Sequence, residues 1–204
     1  MCTPTIPAAA SLMFRSDLVI DNRGYPATVV AFSGLAPRNH IFEWATALSG
    51  FPANFIGVRD PGDCWYRRGV AFTAASLWVA LAAVGARWTA FVGGSAGGFA
   101  ALMFGRILGA DRIIALCPQS ACGRVKRALG DDRWPLFCRN TPAGDIAGAY
   151  PKAIIHYAAN DPLDAMHAAR LGADMREWPS GGHDLPRALK DDGRLPEVLA
   201  EALR

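Results

Sequence analysis

The run from Ala90 to Leu102, AFVGGSAGGFAAL, constrains this chain more than any other stretch. An apolar β-branched and aromatic segment enters Gly93-Gly94-Ser95-Ala96-Gly97 and leaves as small and apolar residues at helical spacing. A strand that turns into a helix within five residues needs a strained backbone at the turn, and glycines two before and two after Ser95 remove the colliding side chains. Gly98, Ala100 and Ala101 then let the helix pack close to the strand. Other glycine-rich readings fit less well. Gly93 and Gly98 have P-loop spacing, but Phe99-Ala100 follows where Lys-Ser/Thr is required. No G-x-G-x-x-G can be drawn through the run, which disfavours a dinucleotide site.

Around this unit, apolar runs alternate with helical patterns along nearly the whole chain. Strands are expected at Asp17–Ile20, Ala27–Phe32, Asn54–Arg59, Trp88–Gly93, Arg112–Cys117, Ala153–Tyr157 and Asp174–Trp178. Several are apolar without alternation, as suits strands covered on both faces. Helices are expected at Ile41–Ser49, Ala71–Ala86, Ala96–Leu108, Leu163–Leu171 and Pro196–Leu203. The pattern predicts an α/β fold, a doubly wound and mostly parallel sheet with helices on both faces. With 204 residues, 51% of them hydrophobic and 19% charged, the whole chain reads as a single domain with a sizeable core. One connection of about 34 residues, Pro118 to Pro151, is expected to be a surface excursion or a short lid insertion.

The net charge of +3, without a dense basic stripe, gives no reason to expect nucleic acid as a partner. Five cysteines, without a CxxC pair, read as free thiols of a reducing compartment. The N-terminus lacks the basic and apolar regions of a signal peptide. Val70 to Ala86 is the longest uncharged run, and its Thr73, Ser76 and alanines favour a buried helix over a membrane span. A soluble, cytoplasmic protein is the expectation, and the sequence fixes no oligomeric state.

A reactive serine needs a base, and the base needs an orienting acid. Past the strand Ala153–Tyr157 come Asn160-Asp161-Pro162-Leu163-Asp164, and past Asp174–Trp178 come Gly181-Gly182-His183. Asp161 and His183 therefore fall at the same sheet edge as Ser95. On the motifs Gly93-Gly94-Ser95-Ala96-Gly97, Asn160-Asp161-Pro162-Leu163 and Gly181-Gly182-His183, the chain resembles the α/β-hydrolase family. The resemblance is to its small, nearly cap-free bacterial members, and runs from about Asp17 to the C-terminus. It implies Ser95 as nucleophile, His183 as general base and acid, and Asp161 as the acid that orients His183. It also implies an oxyanion hole from the Ala96 N–H and a second N–H in Phe32-Ser33-Gly34-Leu35. Ser33 stands where many members have His, so Gly34 and Leu35 both stay open as the second donor. Asp164 is the rival acid, set aside as a first-turn helix residue. His156 reads as a packed core histidine, and His167 and His40 as helix-capping groups.

The loop Arg59–Gly69 follows a strand and should border the same edge. Trp65 and Tyr66 could stack on a sugar or acyl group, with Arg59 holding an anionic one. The expected activity is hydrolysis of carboxylic esters or thioesters on a small-molecule, glycan or acyl substrate, with no metal and no organic cofactor. Acyl transfer to an alcohol or amine through the same triad is the second reading. The third is a non-catalytic binding protein on a hydrolase-like fold. Because only the 118–151 connection could form a cap, the site should be shallow or partly covered.

Overall fold

The computed structural model describes residues 13–14, 17–35 and 42–204, with only the backbone of Met13 and Phe14. In chain order the strands are β1 (Met13–Phe14), β2 (Leu18–Asp21), β3 (Ala27–Phe32) and β4 (Asn54–Val58), followed by helix α1 (Val70–Ala83). Next come β5 (Trp88–Gly94), α2 (Ala96–Leu108) and β6 (Arg112–Leu116). The connection expected at 118–151 holds β7 (Ala121–Cys122), α3 (Gly123–Ala128), α4 (Pro135–Asn140) and β8 (Gly144–Asp145). The chain closes with β9 (Gly148–Ala158), α5 (Pro162–Ala169), β10 (Leu171–Trp178), α6 (Leu185–Asp191) and α7 (Leu195–Ala200).

Eight strands form one sheet in the order β1-β2-β4-β3-β5-β6-β9-β10. The six from β4 to β10 are mutually parallel, and β2 runs antiparallel to β4 and β1. The chain moves outward from β3 to β4, crosses back through α1 to β5, and then proceeds outward through β6, β9 and β10. The strand order therefore reverses between β3 and β5, and open α/β sheets bind ligands at that crevice.

Successive side chains of each strand feed two separate cores, as the period of two dictates. Val30, Phe32, Phe91, Ile113, Ala115 and Ile155 pack with α1 and α2. Val29, Ala31, Ala90, Val92, Ile114 and Leu116 face Trp44, Leu48 and the α6–α7 layer. Phe32, the last residue of β3, contacts the rings of Tyr66, Phe91 and Phe104 at 5.5, 5.7 and 5.6 Å. Such aromatic pairs contribute about 0.5–1.5 kcal/mol each beyond burial, so the loop after β3 leaves from a rigid base.

The segments expected as helices at Ile41–Ser49 and Ala71–Ala86 differ. Ile41 lies outside the described residues, and the rest of the expected Ile41–Ser49 helix forms successive turns. Their bonds alternate between three- and four-residue spacing (Ala45 to Phe42, Leu48 to Trp44, Ser49 to Thr46) and so never settle into one helix. The uncharged run from Val70 is helical only to Ala83, and no helix among the described residues is long and apolar enough to cross a membrane.

The connection after β6 is anchored by a buried ion pair. Lys126 Nζ donates to Asp131 Oδ1 at 2.9 Å, with both side chains fully buried. Burial pushes the Asp131 carboxyl up, but hydrogen bonds from His167, Arg133 and Lys126 outweigh it and hold the group far below the usual carboxylate range. A depressed folded pKa contributes stability that is fully present above the unfolded value of about 3.9 and is lost as pH falls below it. Urea midpoints should therefore drop as the pH is taken below about 4. Lys126→Met should lower stability at neutral pH by about 3–5 kcal/mol, because it strands a buried charge. The acid-dependent loss should be shallower in that variant.

Candidate active site

The turn between β5 and α2 holds Ser95 at φ 53° and ψ −119°, a conformation that L residues avoid. The flanking glycines are needed for close approach. A Cβ on Gly93 would overlap the Gly97 carbonyl, and one on Gly97 would overlap the Phe32 carbonyl at the end of β3. The strain turns the serine side chain off the sheet edge, while the Ala96 N–H opens the first turn of α2, where backbone donors lack partners within the helix.

His183 lies in the short 3-10 turn Gly182–Asp184 after β10. Gly182 donates its N–H to Asn160 Oδ1 at 3.0 Å, tying this loop to the one after β9. His183 Nε2 stands 2.8 Å from Ser95 Oγ. On the other side of the ring, Nδ1 faces Asp164 Oδ1 and Oδ2 at 2.8 and 2.9 Å. A ring nitrogen facing two carboxylate oxygens carries the proton, which leaves Nε2 as acceptor toward the serine. Burial pushes the Asp164 carboxyl up, but the His183 hydrogen bond and the neighbouring Arg133 charge prevail, so it lies below its ordinary range.

The acid beside His183 is thus Asp164, not the expected Asp161. Asp161 is the N-cap of α5, its Oδ1 accepting the Leu163 and Asp164 N–H groups at 3.0 Å each. Its Oδ2 faces Arg133 Nη1 at 3.2 Å. Both oxygens are engaged elsewhere, and one helical turn separates Asp161 from the residue that reaches the imidazole.

The loop expected to supply aromatic contacts to substrate is turned inward instead. Asp60 accepts the N–H groups of Gly62, Cys64 and Tyr66, folding the segment back on itself. Trp65 is fully buried with Nε1 on Gln119 Oε1, and the Tyr66 hydroxyl donates to the Ser33 and Val58 carbonyls. Arg59 stacks over the Phe42 ring at 4.8 Å rather than lining the cavity. His156 is buried as expected, whereas His167 is no cap: its ring bridges Ser120 and Asp131 inside the protein. His40 and Cys2 lie outside the described residues. The four described cysteines are free and buried. Burial and the nearby Asp164 push the Cys117 thiol well up, which makes it a poor rival nucleophile.

Ser95 and His183 open into a cleft of about 920 Å³. Gly34, Leu35, Phe42, Glu43 and Trp44 line it, together with Pro186, Arg187, Lys190 and Asp191 of α6. The Gly34 N–H is donated to Glu43 Oε2 at 2.7 Å. Of the 118–151 connection only Trp134 reaches the lining, its ring centre 4.7 Å from that of His183. Among the described residues, Asp161, Asp164 and His183 form the one group with metal-ligand proximity, and the Arg133 guanidinium already lies against all three. Arg133, Trp134 and Glu43 carry no motif and escape sequence reading. The capping role of Asp161 does have a signal, since Asp-Pro is a common helix opening.

No protein-family model and no curated protein matches the sequence. Solved structures do resemble it. The capsule O-acetyltransferase of Neisseria meningitidis serogroup A is 14% identical with a TM-score of 0.63, over 90% of this chain and 89% of that one. An α/β serine hydrolase without a lid from Xanthomonas campestris is 15% identical with a TM-score of 0.54, over 97% of each chain. An α/β hydrolase from a lagoon-sediment metagenome is 16% identical with a TM-score of 0.56, over 94% and 97%. The strand order, the strained serine turn and these likenesses together give the chain the α/β-hydrolase fold.

Proposed function

We propose that the protein is a serine hydrolase of carboxylic esters or thioesters, with Ser95, His183 and Asp164 as its triad. The observation that carries this reading is the continuous Ser95 Oγ–His183 Nε2 and His183 Nδ1–Asp164 contact, at 2.8 Å in both places, on a strained turn. His183 takes the Ser95 proton as Oγ attacks the acyl carbon. The imidazolium so formed is stabilised by Asp164, and it returns the proton to the leaving alcohol or thiol. Water, deprotonated by His183, then releases the acid from the acyl-serine. The developing oxyanion is received by the Ala96 N–H and the Leu35 N–H, because the Gly34 N–H is engaged by Glu43. The aligned set favours an enzyme over a binding-only protein. A fluorophosphonate probe followed by peptide mapping tests the reading. Modification at Ser95 supports it, and an unmodified Ser95 in folded protein sinks it.

Acyl transfer is the second reading, supported by the likeness to a capsule O-acetyltransferase. A cleft of about 920 Å³ has room for an acyl donor together with a hydroxylic acceptor. Product analysis with and without an added sugar or alcohol separates the two: transfer gives a new ester, hydrolysis only free acid.

A further inference from the structure

The 118–151 connection delivers one side chain into the hydrogen-bonded set behind the cleft. Arg133 grips Asp131 with its fork, Nε to Oδ1 at 3.0 Å and Nη2 to Oδ2 at 2.8 Å. Asp131 is itself fixed by Lys126 and by His167 Nε2 at 3.0 Å, all three side chains being fully buried. The remaining nitrogen, Nη1, is thereby aimed at Asp164 Oδ1, 2.9 Å away, and at Asp161 Oδ2. We propose that Arg133 is a positioning residue for Asp164, holding its carboxylate in the orientation that receives the His183 Nδ1–H. The proposal rests on the hydrolase reading above, whose triad it refines.

Three features of the geometry carry it. Asp164 is fully buried, and without Arg133 its carboxylate would be left with His183 and the weak Cys117 thiol as its side-chain donors. Asp161 and Asp164 open the same helix one turn apart, and the single guanidinium lies against both, so it offsets their mutual repulsion. The task needs a fork rather than a point charge, because one group must hold Asp131 and Asp164 together. Trp134, the next residue, lays its ring on His183, so one dipeptide steadies both the acid and the base.

The test compares wild type with Arg133→Met, Arg133→Gln and Arg133→Lys on a short p-nitrophenyl ester, with kcat expressed per fluorophosphonate-titrated serine. The neutral variants should lose about 10- to 100-fold in kcat with KM nearly unchanged, as small misplacements of catalytic groups do. Lysine should recover part of that loss. The far-downfield proton resonance of the His183 Nδ1–H should broaden or move upfield in the neutral variants. A purely structural role would lower the folded fraction and leave both kcat per titrated site and the resonance in place, and that result overturns the proposal. Should neither neutral variant fold, Arg133→Lys decides: its ammonium cannot span both acids, so wild-type kcat and an unchanged resonance overturn the proposal too. The resonance is read on the resting protein. A wild type without turnover or labelling would sink the hydrolase reading, while the resonance would still judge Arg133.

Discussion

Ser95→Ala should lower kcat on a short acyl ester by about a million-fold, with only the rate due to binding and the oxyanion donors remaining. In the proposed mechanism, removal of Oγ eliminates the acyl-serine and with it the covalent step. Folding should hardly notice the change. Ser95 Oγ has His183 Nε2 as its hydrogen-bond partner, and alanine keeps the Cβ and the same strained φ of 53°. Ser95→Gly should be equally inactive yet more stable by about 1–2 kcal/mol, since glycine relaxes that backbone conformation. Together the two variants separate a serine strained for chemistry from one that merely fills a turn. Thermal melts and ester turnover on the same preparations would read both. Equal turnover in wild type and Ser95→Ala would remove Ser95 from the reaction.

The parts of this architecture that follow from local periodicity are legible in the residues, and the parts set by long-range contacts are not. β3 and α2 span the expected residues, because uninterrupted apolar runs and a small-residue helix have few alternatives in a covered parallel sheet. β9 begins five residues earlier than expected, since the pattern at Gly148–Lys152 is broken by Pro151 and by exposed positions along an edge of the strand. The Arg59–Gly69 loop shows the limit more sharply. Aromatic and arginine residues after a strand look like a binding loop, but a single buried carboxylate, Asp60, folds that loop into the core. Arg133 lies 31 residues before Asp164 with no motif around it, and only the fold reveals that they meet. The meeting of Ser95 and His183 is legible in the sequence because the elbow turn and the glycine-flanked loop are local devices.

The choice between Asp164 and Asp161 is the sharpest consequence of the geometry, and a pair of conservative substitutions decides it. Asp164→Asn should lower kcat by about 10⁴-fold. In the wild type Arg133 Nη1 approaches Asp164 Oδ1, while His183 Nδ1 faces both Oδ1 and Oδ2. An asparagine there would turn its carbonyl to the guanidinium, which can only donate, and its NH₂ toward Nδ1. The imidazole proton is then forced onto Nε2, where it faces Ser95 Oγ and blocks the base. Asp161→Asn should cost no more than about threefold, because asparagine is as good an N-cap as aspartate. Its loss is confined to one contact with Arg133 at 3.2 Å, on a side chain that is partly exposed. A large loss at Asp161 with near-normal turnover in Asp164→Asn would reverse the assignment. It would require the His183 ring to leave the position drawn by its Ser95 and Asp164 contacts during the reaction.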